Sequence, residues 1–169
     1  MTDVRYEKCR VELADSFWSC LDAVARERRY LMFLEGPPIE STRKFVAGIV
    51  EKGSTQYFAT LEGRVIGWCD ILPGTREGTR HSGHMGMGVL ADYRGQGIGK
   101  RLLSLALDDA WSKGLSRIEL LVFRSNTRAI ALYKAMGFEE EGVMRRAWRL
   151  DDRDDDFISM AMLRNPTGP

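Results

Sequence analysis

The stretch MGMGVLADYRGQGIGKRLL, residues 85–103, decides the fold. It begins as an apolar strand, passes through a turn with glycines at 95, 97 and 99, and continues as an amphipathic helix. Glycines leave successive backbone N–H groups exposed, and a helix N-terminus adds unpaired donors and the positive end of its dipole. Such a turn binds phosphate, and Arg94 and Lys100 beside it would add charge-assisted contacts. The alternative is that the three glycines only make a tight strand-to-helix connection.

Two common phosphate-binding motifs do not fit this turn. A Walker A loop ending at Gly99 and Lys100 needs glycine at position 94 and Ser or Thr at position 101, and the chain has arginine at both. The dinucleotide motif GxGxxG, started at Gly95, needs glycine where Lys100 stands. The sequence therefore predicts neither a P-loop NTPase nor a dinucleotide-binding domain.

Hydrophobic periodicity predicts alternating strands and helices along the rest of the chain. We expect strands at 3–11, 56–62, 64–72, 84–90, 117–123, 138–150 and 157–163, and helices at about 15–29, 41–53, 97–113 and 126–136. The expected helix caps are Asp15 or Ser16, Ser41, Gly53, Gly114, Asn126 and Gly137.

Three segments carry more specific expectations. Glu62 and Gly63 join the second and third strands as a hairpin. The continuous apolar run at 117–123 is typical of a strand buried on both faces. The acidic run DDRDDD, 151–156, reads as a solvated hairpin turn, the alternative being a surface that attracts a cationic substrate.

Length and composition limit the classes of protein. The chain has 169 residues, which predicts a single domain over 1–169, and its net charge of +1 gives no support for nucleic-acid binding. No apolar run approaches the ~20 residues that span a bilayer, and the N-terminal stretch lacks a signal-peptide pattern. Three cysteines without CxxC spacing and two histidines argue against a disulfide framework and a metal site. We expect a cytoplasmic protein without metal.

The turn RGQGIG, 94–99, resembles the [RQ]xxGx[GA] signature of the GNAT superfamily of N-acetyltransferases. Residues 120–142, LLVFRSNTRAIALYKAMGFEEEG, look like the second motif of that family. The resemblance covers residues 50–164 well, and residues 1–50 only as a first strand and acceptor-side helices. It implies an α+β fold: a mixed, mostly antiparallel, twisted sheet of about seven strands flanked by about four helices. The closing segment 141–163 looks most like bacterial members acting on amino acids or on ribosomal-protein N-termini.

The resemblance implies an acetyl-CoA-dependent N-acetyltransferase. It would move an acetyl group to a primary amine, such as that of an amino acid, by direct transfer in a ternary complex. Two alternatives remain: a protein N-terminal or lysine acetyltransferase, and a non-catalytic coenzyme A-binding module. The expected partners are acetyl-CoA and an amine acceptor, with no nucleic acid and no membrane, and a homodimer is left open.

The resemblance also implies a cofactor site. Backbone N–H groups of 95–100 would hold the pyrophosphate, and the strand at 87–89 would pair with the pantetheine arm. The N–H of Val89 or a neighbour would then face the thioester oxygen. Gly86 and Gly88 would permit that close approach or mark a bulge, unless they only relieve crowding against the following helix. The full cofactor set is Met87, Gly88, Val89, Arg94, Gly95, Gln96, Gly97, Ile98, Gly99, Lys100, Asn126, Ala129 and Tyr133.

Asn126 and Tyr133 lie seven residues apart, on one face of a helix. The resemblance implies that Asn126 contacts the cofactor arm and that the Tyr133 hydroxyl protonates the departing sulfur. The alternatives are a plain N-cap and a core aromatic residue. His84 is a candidate base, although family members also work through a chain of water molecules. On the acceptor side the candidates are Phe33, Leu34, Glu35 and Asp70, with Glu35 and Asp70 also as bases.

Overall fold

The structure is a computed structural model that describes residues 3–165. Its elements follow in the predicted order, with short 3₁₀ turns at Val11–Leu13, Glu77–Thr79 and Ala91–Tyr93. The strands are β1 (Arg5–Lys8), β2 (Thr55–Leu61), β3 (Arg64–Pro73), β4 (Ser82–Val89), β5 (Arg117–Phe123), β6 (Glu139–Leu150) and β7 (Arg153–Leu163). The helices are α1 (Ala14–Arg26), α2 (Ile39–Lys52), α3 (Ile98–Ser112) and α4 (Thr127–Met136).

The seven strands form one sheet in the order β1-β2-β3-β4-β5-β7-β6. β1 pairs with β2, β2 with β3, β5 with β7 and β6 with β7, all antiparallel. β4 and β5 pair in parallel, with Ser82 opposite Arg117, because the chain crosses between them through α3. The predicted α+β class with a mixed, mostly antiparallel sheet is confirmed.

The chain divides into two compact units, the first holding residues up to 72 together with 86–110. Its core lies where α1 meets the sheet: the Phe17 ring stacks on Phe58 at 5.0 Å between centroids and meets the Trp68 indole edge-on at 5.6 Å. The hairpin between β2 and β3 turns at Glu62 and Gly63, whose φ angles of 51° and 79° fit the twist of paired strands. The predicted hairpin is confirmed.

The second unit holds 73–85 and the chain from 111 onward. Ile118, Leu120 and Val122 of β5 are buried, whereas Leu121 is 38% exposed. The expectation that β5 is buried on both faces is therefore wrong. Its other face is polar, because Arg117 forms ion pairs with Glu119 and Glu141.

The acidic run is also divided differently from the prediction. Only Asp151 and Asp152 form the turn, both at positive φ, and β7 begins at the following residue. Asp154 binds Arg146 and Arg149 at 2.5 and 2.6 Å. These two arginines lower the pKa of Asp154 to about 2, so this carboxylate forms its ion pairs within the hairpin.

Two helix starts differ from the predicted caps. Leu13 precedes α1 and Pro38 precedes α2, and neither start has a capping side chain. The chain enters α1 directly from a 3₁₀ turn, so the Ser16 hydroxyl instead accepts the N–H of Val65 at 2.8 Å. Gly53, Gly114 and Gly137 follow their helices at positive φ, as predicted.

Candidate active site

The glycine-rich turn leaves β4, passes the 3₁₀ turn at Ala91–Tyr93 and enters α3 at Ile98. Gly95 and Gly97 have φ angles of 78° and 81°, which side-chain-bearing residues rarely adopt. A Cβ built on Gly97 meets no atom within 4 Å. Since the first helical hydrogen bond joins the Arg101 N–H to the Gly97 carbonyl, the N–H groups of 98–100 precede the helical ladder. The turn thus presents backbone donors beside open space.

Arg94 is bound within the protein. Its Nε donates to the Val89 carbonyl at 2.8 Å, and its two terminal nitrogens donate to the Glu27 carboxylate at 2.8 and 2.5 Å. The guanidinium also lies 4.8 Å from the centroid of the Tyr30 ring. These contacts fasten the end of β4 to the segment after α1, whereas the sequence had predicted a contact with phosphate. Lys100, the other predicted cation, has an exposed side chain in the first turn of α3.

Two glycines of β4, Gly86 and Gly88, lie against different side chains of β3. A Cβ on Gly88 would lie 2.3 Å from the Trp68 indole, so any side chain there collides with the core. A Cβ on Gly86 would lie 3.4 Å from the nearer carboxylate oxygen of Asp70, an ordinary contact. The crowding at Gly88 comes from this indole and not from the following helix. Met87, Gly88 and Val89 are all half-buried.

The second motif lies in the second unit, on α4. The Asn126 Oδ1 accepts the N–H of Ala129 at 3.3 Å, so Asn126 caps the helix as predicted. Tyr133 is 8% exposed, and its ring packs against Phe138 with 5.9 Å between centroids. In the same unit His84 is exposed and lies opposite Glu119 in the β4–β5 ladder.

The predicted acceptor-side residues split between an exposed loop and the sheet. Phe33 is 44% exposed, and Glu35 is exposed and lies 3.6 Å from Arg26. Leu34 is half-buried between them. Their loop is fixed where the Trp18 indole donates to the Pro37 carbonyl at 2.6 Å.

Asp70 occupies the sheet itself, near the end of β3. Burial raises the pKa of the Asp70 carboxyl from 3.8 to about 7, and Gln56 acts in the opposite direction. Gln56 lies directly across the β2–β3 ladder from it and is 1% exposed. Sequence reasoning missed Glu27, Tyr30 and Gln56, because no local pattern marks a residue whose partner lies far along the chain.

Two further properties concern the described residues, 3–165. No group of three or more His, Cys, Asp or Glu side chains among them could hold a metal ion. None of their helices combines the length and the apolar character needed to cross a membrane.

The Acetyltransferase (GNAT) family matches residues 12–138, and the chain belongs to this family. It is 38% identical over 71 residues to the [ribosomal protein bS18]-alanine N-acetyltransferase of Escherichia coli strain K12, covering 42% of this chain and 48% of that protein. It is 32% identical over 96 residues to the L-amino acid N-acetyltransferase AaaT of the same strain, covering 56% and 59%. The chain therefore spans about half the length of these curated relatives.

A solved structure shares the fold over nearly the whole chain. It is a GNAT superfamily phosphinothricin acetyltransferase from Sinorhizobium meliloti, in complex with acetyl-CoA. The TM-score is 0.89 at 22% identity, and the match covers 99% of this chain and 94% of that one.

Proposed function

We propose that this chain is an acetyl-CoA-dependent N-acetyltransferase that acts on the primary amine of a small molecule such as an amino acid. The strand, glycine turn and helix over 87–100 carry the proposal, because they present backbone donors beside the open space at Gly97. The GNAT family match and the relative named as an L-amino acid N-acetyltransferase support it.

Each part of the reaction has a candidate group in the chain. The N–H groups of 95–100 bind the pyrophosphate, and the exposed Lys100 adds positive charge. Arg94 acts indirectly, holding the end of β4 through the Val89 carbonyl and Glu27. A backbone N–H at or next to Val89 polarises the thioester carbonyl, which is how fixed donors stabilise a developing oxyanion.

Tyr133 supplies the proton to the sulfur. The amine nitrogen attacks the thioester carbon, the C–S bond breaks, and the departing thiolate takes a proton from the Tyr133 hydroxyl. The nitrogen releases one proton to solvent as the amide forms, and the Tyr133 phenolate regains a proton from solvent. A phenol suits this step because its ordinary pKa of about 10 keeps it protonated at neutral pH. Direct transfer in a ternary complex needs no acetylated protein group. The buried thiols of Cys20 and Cys69 fit that route, since burial raises the pKa of Cys20 to about 12 and that of Cys69 well above its ordinary value.

A second candidate function is acetylation of protein N-termini. It is favoured by the relative that acts on the alanine of a ribosomal protein, at 38% identity over 71 residues. A non-catalytic coenzyme A-binding module is the third reading, and the presence of both Asn126 and Tyr133 argues against it.

Thiol release from acetyl-CoA tests all three readings. The wild-type protein is assayed against amino acids, polyamines, aminoglycosides, and peptides with free or blocked N-termini, and the acetylated products are confirmed by mass spectrometry. We expect the largest kcat/KM for a small amine. Preference for peptides with free N-termini would support the second reading. Tight coenzyme A binding without turnover on any acceptor would support the third.

A further inference from the structure

Three adjacent strands of the first unit place Gln56, Asp70 and Gly86 side by side. Gln56 of β2 lies directly opposite Asp70 of β3. On the other flank, a Cβ at Gly86 of β4 would lie 3.4 and 3.8 Å from the two carboxylate oxygens of Asp70. A side chain at position 86 would therefore contact the carboxylate directly, and glycine provides no side chain there.

The carboxyl of Asp70 has no cationic partner within residues 3–165, although the chain has 25 lysines and arginines. By contrast, Asp15, Asp22 and Glu141 each have an arginine that lowers the carboxyl pKa. A half-buried acid without a counter-charge destabilises the fold, and such groups are concentrated at functional sites.

Gln56 makes the arrangement more specific. It is buried, and neither its Nε2 nor its Oε1 has a hydrogen-bond partner of full geometry. The Gln56 amide lowers the pKa of the Asp70 carboxyl, but the opposing effect of burial is larger. A buried amide without a full partner beside an uncompensated carboxyl makes this cluster suited to bind a polar group.

We propose that Asp70 binds the ammonium group of the acceptor and takes its proton before acetyl transfer. This role rests on the proposed function. A protonated amine has no lone pair for attack, so one N–H proton must move to the carboxylate, giving a neutral amine and a neutral Asp70 carboxylic acid. The neutral nitrogen then attacks the thioester carbon. As the amide forms, the nitrogen loses a second proton to solvent, and Asp70 later returns its own to solvent.

The basicity of Asp70 selects among acceptors. Its pKa of about 7 lies roughly one unit below that of an α-amino group, near 8, and more than three units below that of a lysine side chain, near 10.4. Proton transfer from an ε-ammonium is therefore much less favourable than from an α-ammonium. Asp70 favours α-amines over lysine-like amines and polyamines.

The groups that titrate near Asp70 are few. Gln56 on β2 is neutral and Gly86 on β4 has no side chain. Cys69, the preceding residue of β3, keeps its thiol protonated because burial and Asp70 itself raise the thiol pKa. No lysine, arginine or histidine of the described chain contributes to the pKa of Asp70. His84, two residues before Gly86 on β4, is the other candidate base that the sequence predicts on this strand.

The test compares wild type, Asp70→Asn and His84→Ala from about pH 5.5 to 9, on an α-amine acceptor identified by the panel. For Asp70→Asn we expect kcat/KM at pH 7 to fall about 10²-fold or more, the usual range for a lost general base. The acid limb near pH 7 should disappear, while acetyl-CoA affinity by calorimetry stays unchanged and reports a folded protein. Glu51→Gln removes an exposed carboxylate on α2 and should behave as wild type.

A second variant gives a readout that packing alone does not produce. Gln56→Met keeps the volume but removes the amide that lowers the pKa of Asp70, so the acid limb should move to higher pH. An acid limb that stays fixed in Gln56→Met, or that disappears only in His84→Ala, overturns the role. If Asp70→Asn turns over as fast as wild type, the role of Asp70 is overturned and the proposed function is not. A wild-type protein that acetylates no amine overturns the proposed function and this role with it.

Discussion

The half-buried carboxyl of Asp70 contributes a pH dependence of stability that is opposite in direction to that of most acids. Its pKa rises from 3.8 to about 7 on folding, so between these values the folded protein holds a proton that the unfolded chain has released. The contribution of Asp70 to stability therefore falls as the pH rises from about 4 to 7 and is level above that. At about 1.4 kcal/mol per pKa unit, a shift of about three units corresponds to about 4 kcal/mol at most.

Asp70→Asn removes this dependence while keeping the shape of the side chain. The free energy of unfolding of the variant, minus that of wild type, should grow by up to about 4 kcal/mol between pH 4 and pH 8. Urea unfolding followed by tryptophan fluorescence at four pH values measures this difference, and contributions from all other groups cancel in it. If the difference in unfolding free energy between the two proteins changes by less than about 1 kcal/mol over this pH range, the raised pKa of Asp70 is refuted.

Asp154→Asn serves as the control for the direction of the pH dependence of stability. Arginine partners lower the pKa of Asp154 to about 2, so its contribution is complete above the unfolded value of 3.8 and is lost only as the pH falls below it. Its difference from wild type should therefore be level between about pH 5 and 8. A slope in this variant over that range would show that the method reports something other than the mutated carboxyl.

Three other changes test the site. Gly97→Ala places a methyl group in the open space of the turn and should weaken coenzyme A binding at least tenfold by calorimetry. Glu27→Gln leaves the half-buried Arg94 without its counter-charge; we expect a loss of about 1–3 kcal/mol in urea unfolding and weaker coenzyme A binding. Tyr133→Phe removes only the hydroxyl, so kcat should fall about 10²-fold with little change in acetyl-CoA affinity.

Each change has a matched control. Gly114→Ala has the same positive φ and open space as Gly97→Ala, with φ values of 87° and 81°, so it separates backbone strain from lost binding. Glu40→Gln breaks an exposed ion pair and should change stability by less than about 1 kcal/mol. Tyr6→Phe removes a half-buried phenol on β1 and should leave kcat unchanged. Equal coenzyme A affinities in both alanine variants, or a Tyr133→Phe enzyme within threefold of wild type, would contradict the corresponding assignment.

The sequence by itself determined the order of elements and most of their ends. Helical spacing of apolar residues predicted α3, and the run RIELLVF coincides with β5 over 117–123. Asn126 and Gly137 marked the two ends of α4 correctly, because caps act through hydrogen bonds within one turn of the helix. The glycine-rich turn could also be predicted from the sequence, because glycine is the residue that adopts its positive φ angles most readily.

Only the tertiary structure decided which partner each polar side chain of the site has. Arg94 lies inside the signature, yet its carboxylate comes from Glu27, 67 residues earlier. Gly88 is small because Trp68 of the neighbouring strand fills the space above it. Asp70 differs from the other acids of the chain because of burial beside Gln56. Strand pairing and desolvation join residues far apart along the chain, so periodicity and motif spacing carry no record of them.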